Sequence, residues 1–354
     1  MSPTPTPTDR GVLILAGGRG ERFWPWSTSE RPKQLLPLAS GGRTLLAATF
    51  DRARRLVAAD RIVIMTSQSL VEACRREAPG AIVVGEPVMR NTAPAIAGAA
   101  AFFSPQTAFA VLPSDHAIDD EEAFSADLDA AFTRASRDPV LVTFGIRPSH
   151  PETNFGYIRR GDALADGVHR VAQFTEKPDR ARAEEWVASG DYAWNSGMFV
   201  WTRATFMAAL AASRPAIAAA LADLSFAPHE TAAFEQALAK RFPAIESVSV
   251  DYAVLESAPN TVVIEARFEW DDLGSWSAWA RRQPRDDRGN VRWGDAVPVE
   301  CNDCIVVGDG AIAAPLRLEG MVVVATRQGT LVCATSQSEH VRKVSEAVRA
   351  RASS

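Results

Sequence analysis

The chain has 354 residues, 47% hydrophobic and 23% charged, the balance of a globular protein with length for two domains and no need of disulfides. Lys plus Arg number 38 against 43 Asp plus Glu, a net charge of −5, so the global basic field that nucleic-acid binding uses is missing. The longest apolar stretch, Ala93 to Phe103, contains Pro94 and Gly98 and falls short of the ~20 residues of a bilayer span.

In chain order, residues 1–10 (MSPTPTPTDR) lack a basic-then-apolar leader and read as a disordered Pro/Thr tail. A cytoplasmic protein with no membrane or nucleic-acid partner is expected. Val12 to Ala16 is a continuous apolar run, suited to a strand buried on both faces. Leu45 to Val57 has helical apolar spacing, and Arg61 to Thr66 is a second strand. Ser69 to Glu77 follows as a helix, with Ser69 as cap and Glu72 three residues on. Ala81 to Val84 (strand), Thr92 to Phe103 (helix), Ala108 to Leu112 (strand), Glu121 to Ser136 (helix) and Pro139 to Phe144 (strand) continue the alternation. This is the pattern of an α/β domain with a mostly parallel sheet, which binds ligands at the carboxyl ends of its strands.

Beyond Ser149 the alternation loosens. Phe155–Arg160, Val168–Phe174, Tyr192–Trp201 and Val262–Phe268 read as strands, Arg180–Ala188 and much of Ala204–Ala239 as helices. Gln283 to Arg292 (QPRDDRGNVR) is the best boundary, dividing a domain at 11–284 from a small β element at 285–354. That element has short β runs at Val297–Glu300, Cys304–Val307, Ala311–Ala314, Met321–Ala325 and Thr330–Cys333, then a closing helix, Glu339–Arg349. Cys74, Cys301, Cys304 and Cys333 make no disulfide framework. The CxxC at Cys301 and Cys304 lacks two further zinc ligands, so reduced structural thiols are the expectation.

Five constellations carry chemistry. After the first strand, Gly17-Gly-Arg-Gly-Glu-Arg22 and then Pro32-Lys33 combine close-approach glycines with three cations, Arg19, Arg22 and Lys33. Successive exposed N–H groups and Arg side chains suit phosphate, although the residues also fit a tight turn with solvated basic groups. Neither GxGxxG (position 23 is Phe23) nor GxxxxGK[ST] is present, which removes the dinucleotide and Walker readings. Leu112-Pro-Ser114-Asp115-His116 ends a strand with a carboxylate fit for Mg²⁺ or for a helix cap. Glu176-Lys177-Pro178 and Trp194-Asn195-Ser196-Gly197 offer sugar-hydroxyl and phosphate partners, or a salt bridge and a turn. Trp270-Asp-Asp272-Leu-Gly-Ser-Trp276 offers a second carboxylate, or a turn between core aromatics.

Together these motifs resemble the bacterial mannose-1-phosphate guanylyltransferase (GDP-mannose pyrophosphorylase) family, in its short monofunctional form. The resemblance runs through GGRGERFWPWSTSERPKQ (Gly17–Gln34), GEPVMRNTAPAIA (Gly85–Ala97), LPSDH (Leu112–His116), FGIRPSHPETNFGYI (Phe144–Ile158), FTEKPD (Phe174–Asp179), WNSGMFVW (Trp194–Trp201), SVDYAVLE (Ser249–Glu256) and DDLGSW (Asp271–Trp276), over about residues 11–282. Glu21 departs from it, an acid where the family more often has Thr.

The resemblance implies a Rossmann-like nucleotidyltransferase domain, a short C-terminal β-helix-like element and a terminal helix. It implies GMP transfer from GTP to mannose 1-phosphate, with Mg²⁺ as cofactor. Carried over, Arg22 and Lys33 would clamp the GTP phosphates, Asp115 and Asp272 hold the metal, and Gly17 and Gly18 contact the nucleotide. Arg19, Gly20, Arg90, Asn91 and Ser114 complete the nucleotide side, although Arg90 and Asn91 also suit a chain turn. Gly156, Glu176 and Asn195 would line the mannose pocket and Lys177 meet the sugar phosphate. The competing readings are another NTP and sugar 1-phosphate pair, or a non-catalytic sugar-nucleotide sensor. The apolar C-terminal strands make a homodimer possible.

Overall fold

A computed structural model describes residues 10–18 and 20–352. Arg19 and all of the Pro/Thr tail except Arg10 lie outside the described residues. The chain divides into two compact units. One holds Met1–Gly17, Leu46–Ser114 and Ile118–Trp270; the other holds Gly18–Leu45, Asp115–Ala117 and Asp271–Ser354.

The first unit is built on a nine-stranded sheet. Its strands are β1 (Arg10–Leu15), β2 (Ile62–Ser67), β3 (Ile82–Glu86) and β4 (Ala108–Pro113), then, after the short β5 (Ala117–Asp119), β6 (Leu141–Ile146), β7 (Gly156–Ala165), β8 (Val168–Glu176), β9 (Tyr192–Thr202) and β10 (Thr261–Glu265). The order is β3-β2-β1-β4-β9-β6-β10-β8-β7, with β9 also against β7. Strands β3, β2, β1 and β4 run parallel, β9 enters antiparallel between β4 and β6, and β6 pairs parallel with β10. The apolar run expected at Val12 is the reason β1 sits centrally: Val12, Leu13 and Ile14 are fully buried, with neighbours on both edges.

Helices α1 (Leu45–Arg54), α2 (Val71–Glu77), α3 (Thr92–Ala99) and α4 (Glu121–Arg137) connect these strands, followed by α5 (Arg180–Ser189), α6 (Arg203–Ser213), α7 (Pro215–Leu221) and α8 (Thr231–Arg241). The chain runs from β1 outward to β2 and β3, then crosses back past β1 to β4, so the strand order reverses at β1. The carboxyl ends of β1 and β4 form the switch point at which such sheets take ligands. Stacked rings fill the core, Phe199 on Trp201 at 5.2 Å and Trp201 on Phe206 at 5.0 Å.

The second unit carries the β-helix-like element. After β11 (Glu269–Asp271) and α9 (Trp276–Arg281) come β12 (Val291–Ala296), β13 (Ile305–Ala313), β14 (Met321–Thr326) and β15 (Gly329–Ala334), closed by α10 (Val341–Ala352). β12, β13 and β14 stack in parallel and β15 returns antiparallel on β14. Its core is aromatic: Trp26 stacks on Trp276 at 5.8 Å and meets Trp279 edge-on at 5.5 Å. Among the described residues no helix is long and apolar enough to cross a membrane.

Local expectations fail in three places. Ser69 does not cap α2; it lies in a 3-10 turn, Gln68–Leu70, where its hydroxyl meets Ser67 Oγ at 3.2 Å. Val297–Glu300 is no strand but a corner with an isolated bridge at Val299, because the rung is already formed by Val291–Ala296. The runs at Cys304 and Ala311 form one strand, β13. The boundary segment supplies the start of β12, where buried Asn290 donates to the Cys301 carbonyl and accepts from Cys304 N–H, both at 2.9 Å. All four cysteines are free thiols; Cys301 donates to the carbonyls of Val299 and Pro315.

Candidate active site

In the second unit the glycine-rich loop, the residues after β4 and the turn before α9 converge. Gly20, Glu21, Arg22, Lys33, Asp115, Asp272 and Arg342 line a cleft of about 430 Å³. Gly20 has φ 61°, and a Cβ there would run into Lys33 Cβ, so only glycine lets the loop close over the lysine. Lys33 is 6% exposed; its Nζ donates to Asp115 Oδ2 at 2.9 Å and to the Asp272 carbonyl. Arg22 Nη1 reaches the Gly274 carbonyl at 3.4 Å. Capping is not the role of Ser114 or Asp115: α4 is capped by Asp120, whose carboxylate accepts from Ala123 N–H.

Burial works against the Asp115 carboxylate, but the Lys33 ammonium and His116 outweigh it and hold its pKa below the usual value. Asp272 moves the other way: burial raises its pKa against the opposing pull of Lys33. The ammonium thus holds the carboxylate of Asp115 and the backbone carbonyl of Asp272, whose own carboxylate accepts from Gly274 N–H at 3.0 Å. Mg²⁺ binds through one or two carboxylates plus substrate phosphates, so this donor set fits it. No cluster of three or more His, Cys, Asp or Glu suited to a metal occurs among the described residues.

The first unit holds two further groups of polar residues. At the switch point, Ser114 N–H donates to the Leu15 carbonyl at 3.1 Å, and a Cβ on Gly17 would lie 3.7 Å from Glu86 Oε1 and from Met89 Cε. Glu86, closing β3, is 7% exposed and its Oε2 has no hydrogen-bond partner among the described residues. Burial pushes its pKa up to about 7, against a hydrogen bond from the Arg90 backbone. Arg90 spends its guanidinium on the carbonyls of Phe242 (2.9 Å) and Pro243 (2.5 Å). Asn91, at φ 66°, caps α3 by accepting from Thr92 N–H at 2.8 Å. Both residues thus shape the loop beside Glu86.

The second group lies where β7, β8 and β9 meet. Gly156 faces Glu176 across β7 and β8, and a Cβ there would sit 2.5 Å from Glu176 Oε2 and 3.3 Å from Asn195 Cβ. The glycine keeps that space open. Lys177, at φ 49°, places Nζ 3.0 Å from Glu176 Oε1. Asn195 is fixed at both ends of its amide: Oδ1 accepts from Thr143 Oγ1 at 3.1 Å, and Nδ2 donates to Asp251 Oδ1 at 2.9 Å. Burial and the Glu176 charge push the Asp251 pKa up to about 7.

The structure thus gathers Gly20, Arg22, Lys33, Asp115 and Asp272 in one cleft and sets Gly156, Glu176, Lys177 and Asn195 close together; Gly18 is exposed and Arg19 lies outside the described residues. The sequence reading passed over Glu86, Thr143, Asp251 and Arg342. Glu86 and Asp251 sit inside the GEPVMRNTAPAIA and SVDYAVLE segments, which were the available signal. For Thr143 and Arg342 there was none.

A cleft that gathers Arg22, Lys33, Asp115 and Asp272 defines a class, an enzyme that handles phosphoryl groups. Comparison with known proteins agrees. Residues 11–288 match the family described as Nucleotidyl transferase, and residues 294–347 match the MannoseP isomerase/GMP-like beta-helix domain. The mannose-1-phosphate guanylyltransferase of Klebsiella pneumoniae is 38% identical over 344 residues, 94% of this chain and 73% of that one. The xanthan biosynthesis protein XanB of Xanthomonas campestris is 38% identical over 340 residues, 94% of this chain and 72% of that one. A crystal structure from Thermus thermophilus, named a mannose-1-phosphate geranyltransferase, superposes with TM-score 0.85 at 33% identity, covering 96% of this chain and 99% of that one. The chain belongs to the nucleotidyl transferase family, among the mannose-1-phosphate guanylyltransferases. Members of the family generally use a divalent metal.

Proposed function

We propose that this protein transfers GMP from GTP to α-D-mannose 1-phosphate, giving GDP-mannose and pyrophosphate. The observation that carries the reading is the cleft in which Lys33 joins the Asp115 carboxylate to the Asp272 backbone carbonyl beside Arg22. A phosphate oxygen of the sugar attacks the α-phosphorus of GTP; the bond from that phosphorus to the bridging oxygen breaks and pyrophosphate leaves. The nucleophile has a second pKa of ~6 and is largely ionised at pH 7, so no general base is required. The enzyme's task is to hold several anions together in line, by positioning and electrostatics.

Arg22 and Lys33 bind the nucleotide phosphates and neutralise charge on the departing pyrophosphate. Gly17, Gly18, Gly20 and Ser114 bring backbone close to the nucleotide, and Arg90 and Asn91 set the loop around Glu86. Asp115 and Asp272 are the residues that would hold Mg²⁺, which supplies charge neutralisation at the phosphate oxygens. Glu176 and Asn195 bind mannose hydroxyls beside Gly156, Thr143 and Asp251 orient Asn195, and Lys177 meets the sugar phosphate. Glu86 reads the base: a buried carboxylate with an unpartnered oxygen suits the ring N–H and exocyclic amine of guanine.

Four free thiols, two of them in a buried CxxC, support a reducing, cytoplasmic setting. Val297, Val299, Ile312 and Leu316 are exposed on adjoining rungs, which supports a homodimer through that face. The test of the function is pyrophosphate release with Mg²⁺ across GTP, ATP, UTP and dTTP, each with mannose 1-phosphate or glucose 1-phosphate. Release with GTP and mannose 1-phosphate above all other pairs is expected. Preference for another pair overturns the substrates, and release with none overturns the reaction.

A further inference from the structure

Glu21 is an acid in a loop that must receive anions, and the structure shows what it touches. It opens the 3-10 turn Glu21–Phe23 with its side chain 15% exposed. Two arginines of α10 meet it: Arg349 donates from Nη1 to Oε1, and Arg342 Nε lies 3.4 Å from Oε2. Arg342 Nε also donates to Glu346 Oε1 at 2.9 Å, one helical turn on. Val341, beside it in sequence, is 2% exposed and packs in the cluster that contains Phe23, which anchors the helix to this turn.

The two arginines are used differently. The contact from Arg349 neutralises Glu21. Arg342 is pinned only through Nε, which two carboxylates share. Its Nη1 and Nη2 make no hydrogen bond to a described residue, and the side chain lines the phosphate cleft with Arg22 and Lys33. Fixing Nε sets the plane of a guanidinium, and the remaining pair of nitrogens is the fork that binds phosphate in bidentate fashion.

We propose that Arg342 is a third phosphate-binding cation of this enzyme, directed at the pyrophosphate portion of the nucleotide, and that Glu21 with Glu346 is the positioning pair that aims it. This rests on the assignment of the cleft to nucleotide phosphates. The acid in the loop is thereby explained: it is a seat for an arginine delivered from α10.

The experiment is calorimetric titration of the full chain with pyrophosphate in Mg²⁺ buffer, for wild type, Arg342→Ala, Arg342→Lys and Glu21→Gln, with thermal melts to establish folding. Arg342→Ala should bind pyrophosphate about tenfold or more weakly at an unchanged melting temperature, Arg342→Lys should recover part of the loss, and Glu21→Gln should weaken binding less than Arg342→Ala. In kinetics, Arg342→Ala should raise KM for GTP while KM for mannose 1-phosphate stays within about twofold. A folded Arg342→Ala protein that binds pyrophosphate as wild type does overturns the inference and leaves the cleft assignment standing. A wild-type protein that binds neither pyrophosphate nor GTP overturns both.

Discussion

Glu86 and Asp115 are carboxylates in opposite electrostatic settings. The Lys33 ammonium holds the Asp115 pKa below its usual value; Glu86 is buried with one oxygen unpartnered among the described residues, and burial raises its pKa to about 7. Asp115→Asn should lower turnover by about a hundredfold or more with the melting temperature nearly unchanged, measured by pyrophosphate release and thermal denaturation. Glu86→Gln should cost ~1.5–3 kcal/mol of GTP binding and narrow the preference for GTP over ITP, which lacks the 2-amino group. An undiminished preference would remove Glu86 from base reading. Glu86 also links folding to pH. Its folded pKa lies above the ordinary 4.5, so its contribution is fully present below pH 4.5. It is lost as pH rises through 7, because the unfolded chain releases the proton first. About 3 kcal/mol of stability should disappear between pH 4.5 and 8, and Glu86→Gln should remove that slope in urea titrations at pH 5 and 8. Arg22, Lys33, Asp115 and Asp272 were legible from sequence because they stand in contiguous motifs. Glu86 was not singled out, since burial and an unpartnered oxygen are properties of packing. Arg342 was invisible for a similar reason: nothing in VRKVSEAVRARA marks which arginine faces the cleft.

Among the elements, the central strands were the most readable, since the stretch of a strand buried on both faces must be apolar, as Val12–Leu15 of β1 and Ile62–Met65 of β2 are. Errors fell where side-chain hydrogen bonding competes with regular structure, as at Ser69, or where a solenoid corner mimics a strand, as at Val297–Glu300. The loop at Gly20 is the element on which the site depends most. Gly20→Ala places a Cβ at φ 61° against Lys33, so a stability loss of ~1–2 kcal/mol with a marked fall in turnover is expected. A melt and an activity assay on the same preparation would check both. Turnover falling without loss of stability would mean that the loop yields by moving Lys33, and unchanged turnover would deny the loop its role.

For the whole molecule, the exposed apolar rungs make a testable claim about assembly. Replacing Ile312 and Leu316, 72% and 61% exposed, with Asp should convert a dimer to a monomer in light scattering at equal concentration. A wild-type monomer would dispose of the dimer. The order of the chain carries a further consequence. The cleft takes Arg22 and Lys33 from one segment, Asp115 from a second, and Asp272 and Arg342 from a third, all within one compact unit. Its members are spread over more than three hundred positions, so a nascent chain on the ribosome holds no complete anion site until the helix bearing Arg342 has emerged. Chains released early would carry the nucleotide loop without the residues that complete its cleft. A chain truncated before α10 should therefore bind pyrophosphate more weakly than the whole chain, as Arg342→Ala does.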